Sequence, residues 1–411
     1  MNVALFSDSY TPTKSGIVTV VTQLKSILEQ MGHNVCVVTV GSKEERHSEE
    51  YEKEDDVFRV TSIPSPVGED QFIGIPLRSE VIQFIKEHNV DIIHSHTEFF
   101  MGHMALVVGR ELNIPVIAST HTMWEDYYRY YLWMGRLIPR KVIRKIVQRI
   151  YKNFYAFINV SQKAHNYFNR SFMLPMIPSA IIPNAIDSNK FIAHTCSESE
   201  LNQLRGQLGI KKDDRVILYV GRIVEEKRLD ELLEIMIRVV QKRDNAKMVF
   251  VGAGERLEKL QERVNEVNLK DKIIFTGFVD WTKLYTYYSL ANIFVTVSLS
   301  EMHSMTILEA LNLGVPVVCR RDTSFSDTVF PGKNGFFADR DEDMDQYLLN
   351  LIDDPVLASN MGKNALEISK NFTLESHGKR TLAFYQAVLD NFPNKVTSEQ
   401  LQKAVDEALI K

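Results

Sequence analysis

Two glutamates, Glu301 and Glu309, frame the stretch SLSEMHSMTILEA at residues 298–310. The first stands just before a candidate helix start, and the second follows about two turns later. A turn here would expose the amides of Met302, His303, Ser304, Met305 and Thr306 at a helix N-terminus, which is an anion site. Glu301 would lie beside that site and Glu309 on the helix, each able to accept from a hydroxyl. Taken alone, they read equally well as one solvated and one helix-surface carboxylate. Upstream, YVGRIVEEKRLDELL places Gly221 at a strand end, with Arg222 and Lys227 before the next helix. Arginine offers a bidentate fork and lysine a point charge, so the two could clamp a diphosphate; otherwise they are surface cations. VGAGE contributes Gly252, where a missing Cβ lets the backbone approach a ligand. His121 follows the run IPVIAST. His94 and His96 share a strand end in VDIIHSH, with no third ligand at metal spacing, so no metal is expected.

These groups need elements to hold them. NVALFSD reads as a strand, GIVTVVTQLKSILEQMGH as a helix with Val18, Val21, Leu24 and Leu28 at helical spacing and Gly32 as its stop, and NVCVVTV as a second strand. The rhythm recurs in VIQFIKEHN–VDIIHSH and MALVVGRELN–IPVIAST. A second series runs through RVILYVG, LDELLEIMIRVVQKR, AKMVFVGAG, RLEKLQERVNEVN, KIIFTGF, TKLYTYYSLAN, IFVTVS, MTILEALNLG and VPVVC. Alternating short strands and helices predict doubly wound parallel sheets. The polar stretch HTCSESELNQLRGQLGIKKDD separates the series. The expected division is 1–186, 187–372, and C-terminal helices over 373–411. In open α/β sheets ligands sit at the carboxyl ends of strands, where the candidate groups above fall. KEERHSEEYEKEDD, residues 43–56, reads as a solvated loop.

At 411 residues the chain suits two domains. It is 45% hydrophobic and 25% charged, a soluble globular composition. No apolar run reaches the roughly 18 residues of a membrane span, and the N-terminus does not resemble a signal peptide. Cys36, Cys196 and Cys319 are far apart, which points to a reducing, cytoplasmic setting. Net charge is −5, yet Tyr127 to Ile186 holds ten Lys and Arg and no acid, leaving −15 on the remainder. A basic band on an acidic protein implies a local anionic partner, and no nucleic acid is expected. In PRKVIRKIVQRIYKNF, Val142, Ile143, Ile146, Val147, Ile150, Tyr151 and Phe154 form one apolar helical stripe, with Arg140, Lys141, Arg144 and Lys145 off it. Such a helix can lie on an anionic bilayer; alternatively the stripe packs on the sheet and the cations are solvated.

Glu301 and Glu309 seven residues apart, followed by ALNLGVPVV and preceded by VGRIVEEKR, resemble the retaining glycosyltransferases of family four. SDSYTPTKSGIVTVV, GHNVCVVT, VDIIHSHTEF and IIPNAIDSNKF extend the resemblance over nearly the whole chain. Ser15 and Ala185 stand where that family commonly has glycine. The resemblance implies an α/β GT-B fold, two Rossmann-like doubly wound domains facing across a cleft, with the C-terminal helices crossing back to the first domain. It implies that Arg222 and Lys227 hold the diphosphate of a UDP-sugar and Glu309 its ribose. Glu301 and the amides of 302–306 would hold sugar and phosphate, Gly16 would let a first-domain loop approach the phosphates, and His121 would stand near the reacting carbon. It implies no cofactor and no metal, with cations replacing a divalent ion.

HTMWEDYY is similar to the HTMYEDY segment of bacterial diacylglycerol glycosyltransferases, with Trp124 in place of tyrosine. That resemblance implies transfer of glucose, or alternatively galactose, from UDP-glucose or UDP-galactose to the 3-hydroxyl of diacylglycerol. The aromatics Trp124, Tyr127, Tyr128 and Trp133, with Glu125, Asp126, Arg136, Arg140, Lys141 and Arg144, would then face acceptor and membrane. The enzyme would be bound peripherally to the inner face of the cell membrane. Another lipid-linked or soluble acceptor, a sugar-nucleotide epimerase of the same fold, and a non-catalytic scaffold stay open.

Overall fold

A computed structural model of the protein describes residues 1–13, 15–41, 54–64, 72–74, 78–131, 137–170, 177–188 and 196–409. Most of the 43–56 charge run, Trp133, Arg136 and the side chains of Asp126 and Tyr127 lie outside the described residues. The chain forms two compact units, Met1–Ala185 with Leu374–Lys411, and Ile186–Thr373.

The first unit is built on an eight-stranded sheet. Its strands are β1 (Asn2–Ser7), β2 (Asn34–Gly41), β3 (Val57–Pro64), β4 (Phe72–Gly74), β5 (Ile92–Ser95), β6 (Val116–Thr120), β7 (Ala156–Asn159) and β8 (Ser179–Ile181). Their order is β4-β3-β2-β1-β5-β6-β7-β8. All pairings are parallel except β3 with β4. From Val3 to Ser7 every side chain of β1 is buried, as a strand covered on both faces by helices must be. The helix Gly16–Gln30 begins where Ser15 Oγ accepts from Val18 N and buries Val18, Val21, Leu24 and Leu28 against the sheet. Ser15 is therefore a helix cap where the family commonly has glycine.

The helices Leu374–Asn391 and Ser398–Glu407 belong to this first unit. Phe384, Tyr385, Val388, Leu401 and Val405 enter its core beside Val3, Leu5 and Leu24. The return also covers an open sheet edge. The amides of Ser179 and Ile181 on edge strand β8 donate to Ser398 Oγ (2.9 Å) and Gln402 Oε1 (2.8 Å), satisfying groups that would otherwise invite another strand.

The second unit holds β9 (Arg215–Val220), β10 (Ala246–Val251), β11 (Ile273–Phe275), β12 (Ile293–Thr296), β13 (Val317–Arg320) and β14 (Gly335–Ala338), all parallel, in the order β11-β10-β9-β12-β13-β14. Among the described residues no helix is long and apolar enough to cross a membrane.

The structure adds elements that the sequence reading does not name: β3, β4, β7, β8 and β14. The stretch read as a polar separator instead contains the helix Glu198–Leu208, opened by a reciprocal capping box between Ser197 and Glu200. The Ser-x-x-Glu signal is present there; the scarcity of apolar residues masked it. Gly252 also needs a different explanation from ligand approach. Its φ is 144°, and a Cβ there would collide with the Gly221 carbonyl oxygen. The ends of β9 and β10 meet backbone to backbone, with Gly221 N on Val251 O (3.0 Å), and Gly252 N donates to Gly277 O just after β11 (2.9 Å). Gly16, by contrast, would carry a Cβ into open space. Gly252→Ala should therefore cost roughly 2 kcal/mol or more of stability, while Gly16→Ala should stay within about 0.5 kcal/mol of wild type. Urea unfolding of the two variants distinguishes them; equal midpoints would remove the backbone-contact argument.

Candidate functional site

In the second unit the candidate groups emerge at the carboxyl ends of β9 and β12. After Gly221 the chain runs through a short 3-10 turn, Glu225–Lys227, and Arg228 turns left-handed (φ 58°) into the helix Leu229–Lys242. This turn aims Lys227 at the β12 end, where its Nζ lies 2.6 Å from Glu301 Oε1 and 3.5 Å from Ser300 Oγ. Arg222 is held by Glu226, 2.6 Å away, and the same Glu226 oxygen lies 4.0 Å from Lys227. Glu226 is buried, so its charge orients both cations from beneath. The sequence reading missed Glu226, although it stands inside VEEK between them.

The helix Met305–Asn312 is opened by Ser304, whose Oγ accepts from Ile307 N (3.4 Å) and lies 3.1 Å from Thr306 Oγ1. The backbone of Met305 and Thr306 thus lies at the helix N-terminus beside Glu301. Met302 and His303 are buried, the latter packing on Phe372, so their side chains face the protein interior. Glu309 is half-buried and accepts at Oε2 from the fully buried Tyr288 hydroxyl (2.6 Å). Burial pushes its carboxyl up to about 7, against the lowering effect of that bond. Tyr288 carried no signal in the sequence beyond an aromatic at helical spacing.

In the first unit His121 follows β6, half-buried, with Nε2 3.1 Å from His96 Nδ1 and the two rings stacked. His94 lies behind His96 at 4.1 Å between centroids, and bonds Tyr385 and Ser119, each at 2.7 Å. Burial lowers all these imidazoles, His121 to about 4, so they are neutral at physiological pH. Among the described residues no set of three His, Cys, Asp or Glu forms a metal site.

The aromatic and basic segment does not all face outward. Trp124 opens the helix Trp124–Tyr131 and packs edge-on against half-exposed Phe99. Glu125 is buried and ion-pairs with Arg144, while its carbonyl accepts from Arg140 Nε (3.3 Å). Tyr128 is fully buried and donates to Ile138 O (2.8 Å). Glu125, Tyr128 and Arg144 therefore fasten two helices together, which corrects their assignment to a lipid-facing surface. The stripe on Arg140–Tyr151 also splits. Ile143, Val147 and Tyr151 are buried, while Val142 and Ile146 stay 45% and 48% exposed among the exposed Lys141, Lys145 and Arg149. Leu137, just before this helix, is 74% exposed. Val142 and Ile146 lie one residue round the helix from the buried row, so a single stripe could not bury both. Tyr151 donates to buried Glu98, whose carboxyl burial pushes up to about 7. Asp8 accepts from Met101 N (3.0 Å) at the next helix start. Both acids were missed, although Glu98 lies in HTEF.

The Glu309 shift has a stability consequence. Its folded value of about 7 lies above the ordinary 4.5, so the folded state binds the proton more tightly. The contribution is present below pH 4.5 and is lost as pH rises through about 7. Glu309→Gln, which never ionises, should raise the unfolding midpoint at pH 8 and leave it little changed at pH 5. A gain confined to pH 5 would contradict the shift.

Two family models match the chain: Glycosyltransferase Family 4 over residues 14–190 and Glycosyl transferases group 1 over residues 202–368. The chain is 28% identical to the alpha-monoglucosyldiacylglycerol synthase of Streptococcus pneumoniae over 95% of this chain and 87% of that protein. It is also 28% identical to the protein of the same name from Acholeplasma laidlawii, over 97% of this chain and all of that one. The solved structure of Anabaena Alr3699/HepE in complex with UDP aligns with a TM-score of 0.74 at 17% identity, over 94% of this chain and all of that chain. The carboxylate pair on Met305–Asn312 and its approach, the cations at the β9 end and the histidine after β6 thus stand on a shared architecture, and the chain belongs to the family-four glycosyltransferases of GT-B fold.

Proposed function

We propose that the protein transfers a hexose, glucose in preference to galactose, from a UDP-sugar to the 3-hydroxyl of 1,2-diacylglycerol with retention at the anomeric carbon. The observation that carries the donor half is the 2.6 Å contact of Lys227 with Glu301 at the joined ends of β9 and β12. It places a phosphate-type cation and a sugar-type carboxylate together beside a capped helix start. The acceptor half is supported by the two 28% identical synthases, whose names specify a glucosylated diacylglycerol.

Chemically, the C1–O bond to the diphosphate stretches toward an oxocarbenium-like state. Negative charge grows on the leaving UDP, and Lys227, Arg222 and the amides of Met305 and Thr306 supply positive potential to it. Glu301 exchanges its contact with Lys227 for hydroxyls of the sugar, and Glu309 accepts from the ribose. The acceptor hydroxyl attacks on the face that the phosphate leaves, and its proton passes to the departing phosphate oxygen. The lysine and arginine charges serve in place of a divalent ion. The exposed face of Leu137, Lys141, Val142, Lys145, Ile146 and Arg149 is suited to the anionic inner leaflet of the cell membrane.

Product analysis tests this reading. The protein is supplied with UDP-glucose or UDP-galactose, each with and without diacylglycerol in anionic mixed micelles. An α-linked monoglycosyldiacylglycerol should form, undiminished by chelator. Interconversion of the two UDP-sugars without acceptor would favour an epimerase instead. Lys227→Ala and Arg222→Ala should each lower turnover on the order of 100-fold, as expected for a group stabilising a leaving anion; near-normal turnover in both would sink the clamp.

The membrane contact has its own test. Each cation near an anionic leaflet contributes about 1 kcal/mol, so replacing Lys141, Lys145 and Arg149 together by Glu should weaken binding to anionic vesicles on the order of 100-fold or more. Wild-type binding should fall with salt. Sedimentation with vesicles of graded anionic content measures both. Equal binding of wild type and triple variant would leave this face merely solvated.

A further inference from the structure

Behind His121 the first unit encloses a small cavity, with about 10 Å3 open to the centre of a water, lined by His96, Asn184, His377 and Thr381 among others. The helix Gly16–Gln30, the ends of β5, β6 and β7, the segment after β8 and the helix Leu374–Asn391 all line it. Three polar atoms buried there lack a protein partner, His96 Nε2, Asn184 Oδ1 and Thr381 Oγ1. Their residues are 1%, 6% and 1% exposed, well within the range where an unmade hydrogen bond costs about 1–3 kcal/mol. Val20, Leu24, Ile158, Val160 and Ile182 make much of the wall, but the three polar atoms give one water its partners in a space of about the minimum size.

The donors and acceptors around the cavity favour one set of proton positions. His377 Nδ1 lies 2.8 Å from the Pro183 carbonyl, which only accepts. Neutral His377 thus carries its proton on Nδ1, and its Nε2 accepts. Asn184 Oδ1 also only accepts, so a water that donates to Asn184 Oδ1 and His377 Nε2 is left to accept, and His96 Nε2 is placed to donate to it with the Thr381 hydroxyl. His96 Nδ1 is then a lone pair. In that arrangement its partner at 3.1 Å, His121 Nε2, carries the proton between them. His94, packed on His96 at 35° between ring planes and tied at both nitrogens to Tyr385 and Ser119, limits how far the His96 ring can turn.

We propose that His96, supported through one cavity water by Asn184 and Thr381, is a positioning residue that holds His121 as the Nε2–H tautomer, with the bare Nδ1 as the atom offered to a substrate hydroxyl. The inference rests on the glycosyltransfer reading for what His121 does, but the tautomer itself does not. It also gives the returning C-terminal helix a role at the site, since that helix supplies Thr381, His377 and Tyr385.

Nitrogen-15 spectra of histidine-labelled full-length protein, with His121 assigned by the His121→Gln difference, read the tautomer directly. The expected result is a proton on Nε2 and none on Nδ1 across pH 6–8; the opposite placement overturns the proposal. In the glycosyltransfer assay His96→Leu should lower kcat about 10-fold or more with KM for UDP-glucose unchanged. His96→Asn, whose Oδ1 can replace the Nδ1 acceptor, should restore most of it. Thr381→Val, which keeps shape and removes only the hydroxyl, should lower kcat by a smaller factor in the same way. Wild-type kcat in both His96→Leu and Thr381→Val overturns the positioning role. If His96→Leu does not fold, the wild-type spectrum and Thr381→Val decide. A wild type that transfers no sugar to diacylglycerol would refute the proposed reaction, while the spectrum would still judge the tautomer.

Discussion

The ion pair of Lys227 with Glu301 governs the second unit's site. A cation and a carboxylate from two different strand ends hold one another at 2.6 Å. Neither is left bare at a strand end, and each has an opposite charge to return to. The buried Glu226 extends the pattern to Arg222. Removing one member of such a network leaves an uncompensated charge, which is why partial deletion of a partly buried pair is costly. The pair and Glu226 hold these side chains in one arrangement at the strand ends.

The first unit uses its charges differently. The basic band looks uniform along the chain, but folding sorts it. Arg144 is committed to buried Glu125, and Arg140 reaches the carbonyl of the same residue. Tyr151 closes onto Glu98. These contacts pin the helix Arg140–Tyr151 to the domain through one face. The opposite face keeps Lys141, Lys145 and Arg149 exposed beside Val142 and Ile146. A helix anchored on one side can present cations and aliphatic side chains together on the other without losing its place.

The returning C-terminal helices join stability to the site. They cover the β8 edge with Ser398 and Gln402 and fill the core with Phe384 and Tyr385. Thr381 and His377 then reach the cavity behind His121. One helix thus closes a sheet edge, completes an apolar core and lines a polar pocket, which is possible because its faces point different ways at 3.6 residues per turn.

Much of this was legible in the sequence, because local rules decide it. Alternation of buried strands with amphipathic helices gave the doubly wound reading, and the period of Val18, Val21, Leu24 and Leu28 located the face of the first helix. Glu301, Arg222 and Lys227 could be placed at strand ends, where ligands of parallel sheets gather, because those ends are marked by glycine and polar residues. Only the tertiary structure decided which charges are spent on the protein itself. Glu125, Tyr128 and Arg144 look like surface residues in one dimension; they become fasteners because two successive helices fold against one another. Short strands such as β7 and β8 carry too few residues for a period and exist through their neighbours' hydrogen bonds. Gly252 looked like an opening for a ligand, but the Gly221 carbonyl beside it requires the glycine. Periodicity and capping act over a few residues and can be read in order along the chain. Desolvation, ion pairing and steric exclusion depend on which distant atoms become neighbours, and no local stretch of sequence specifies that.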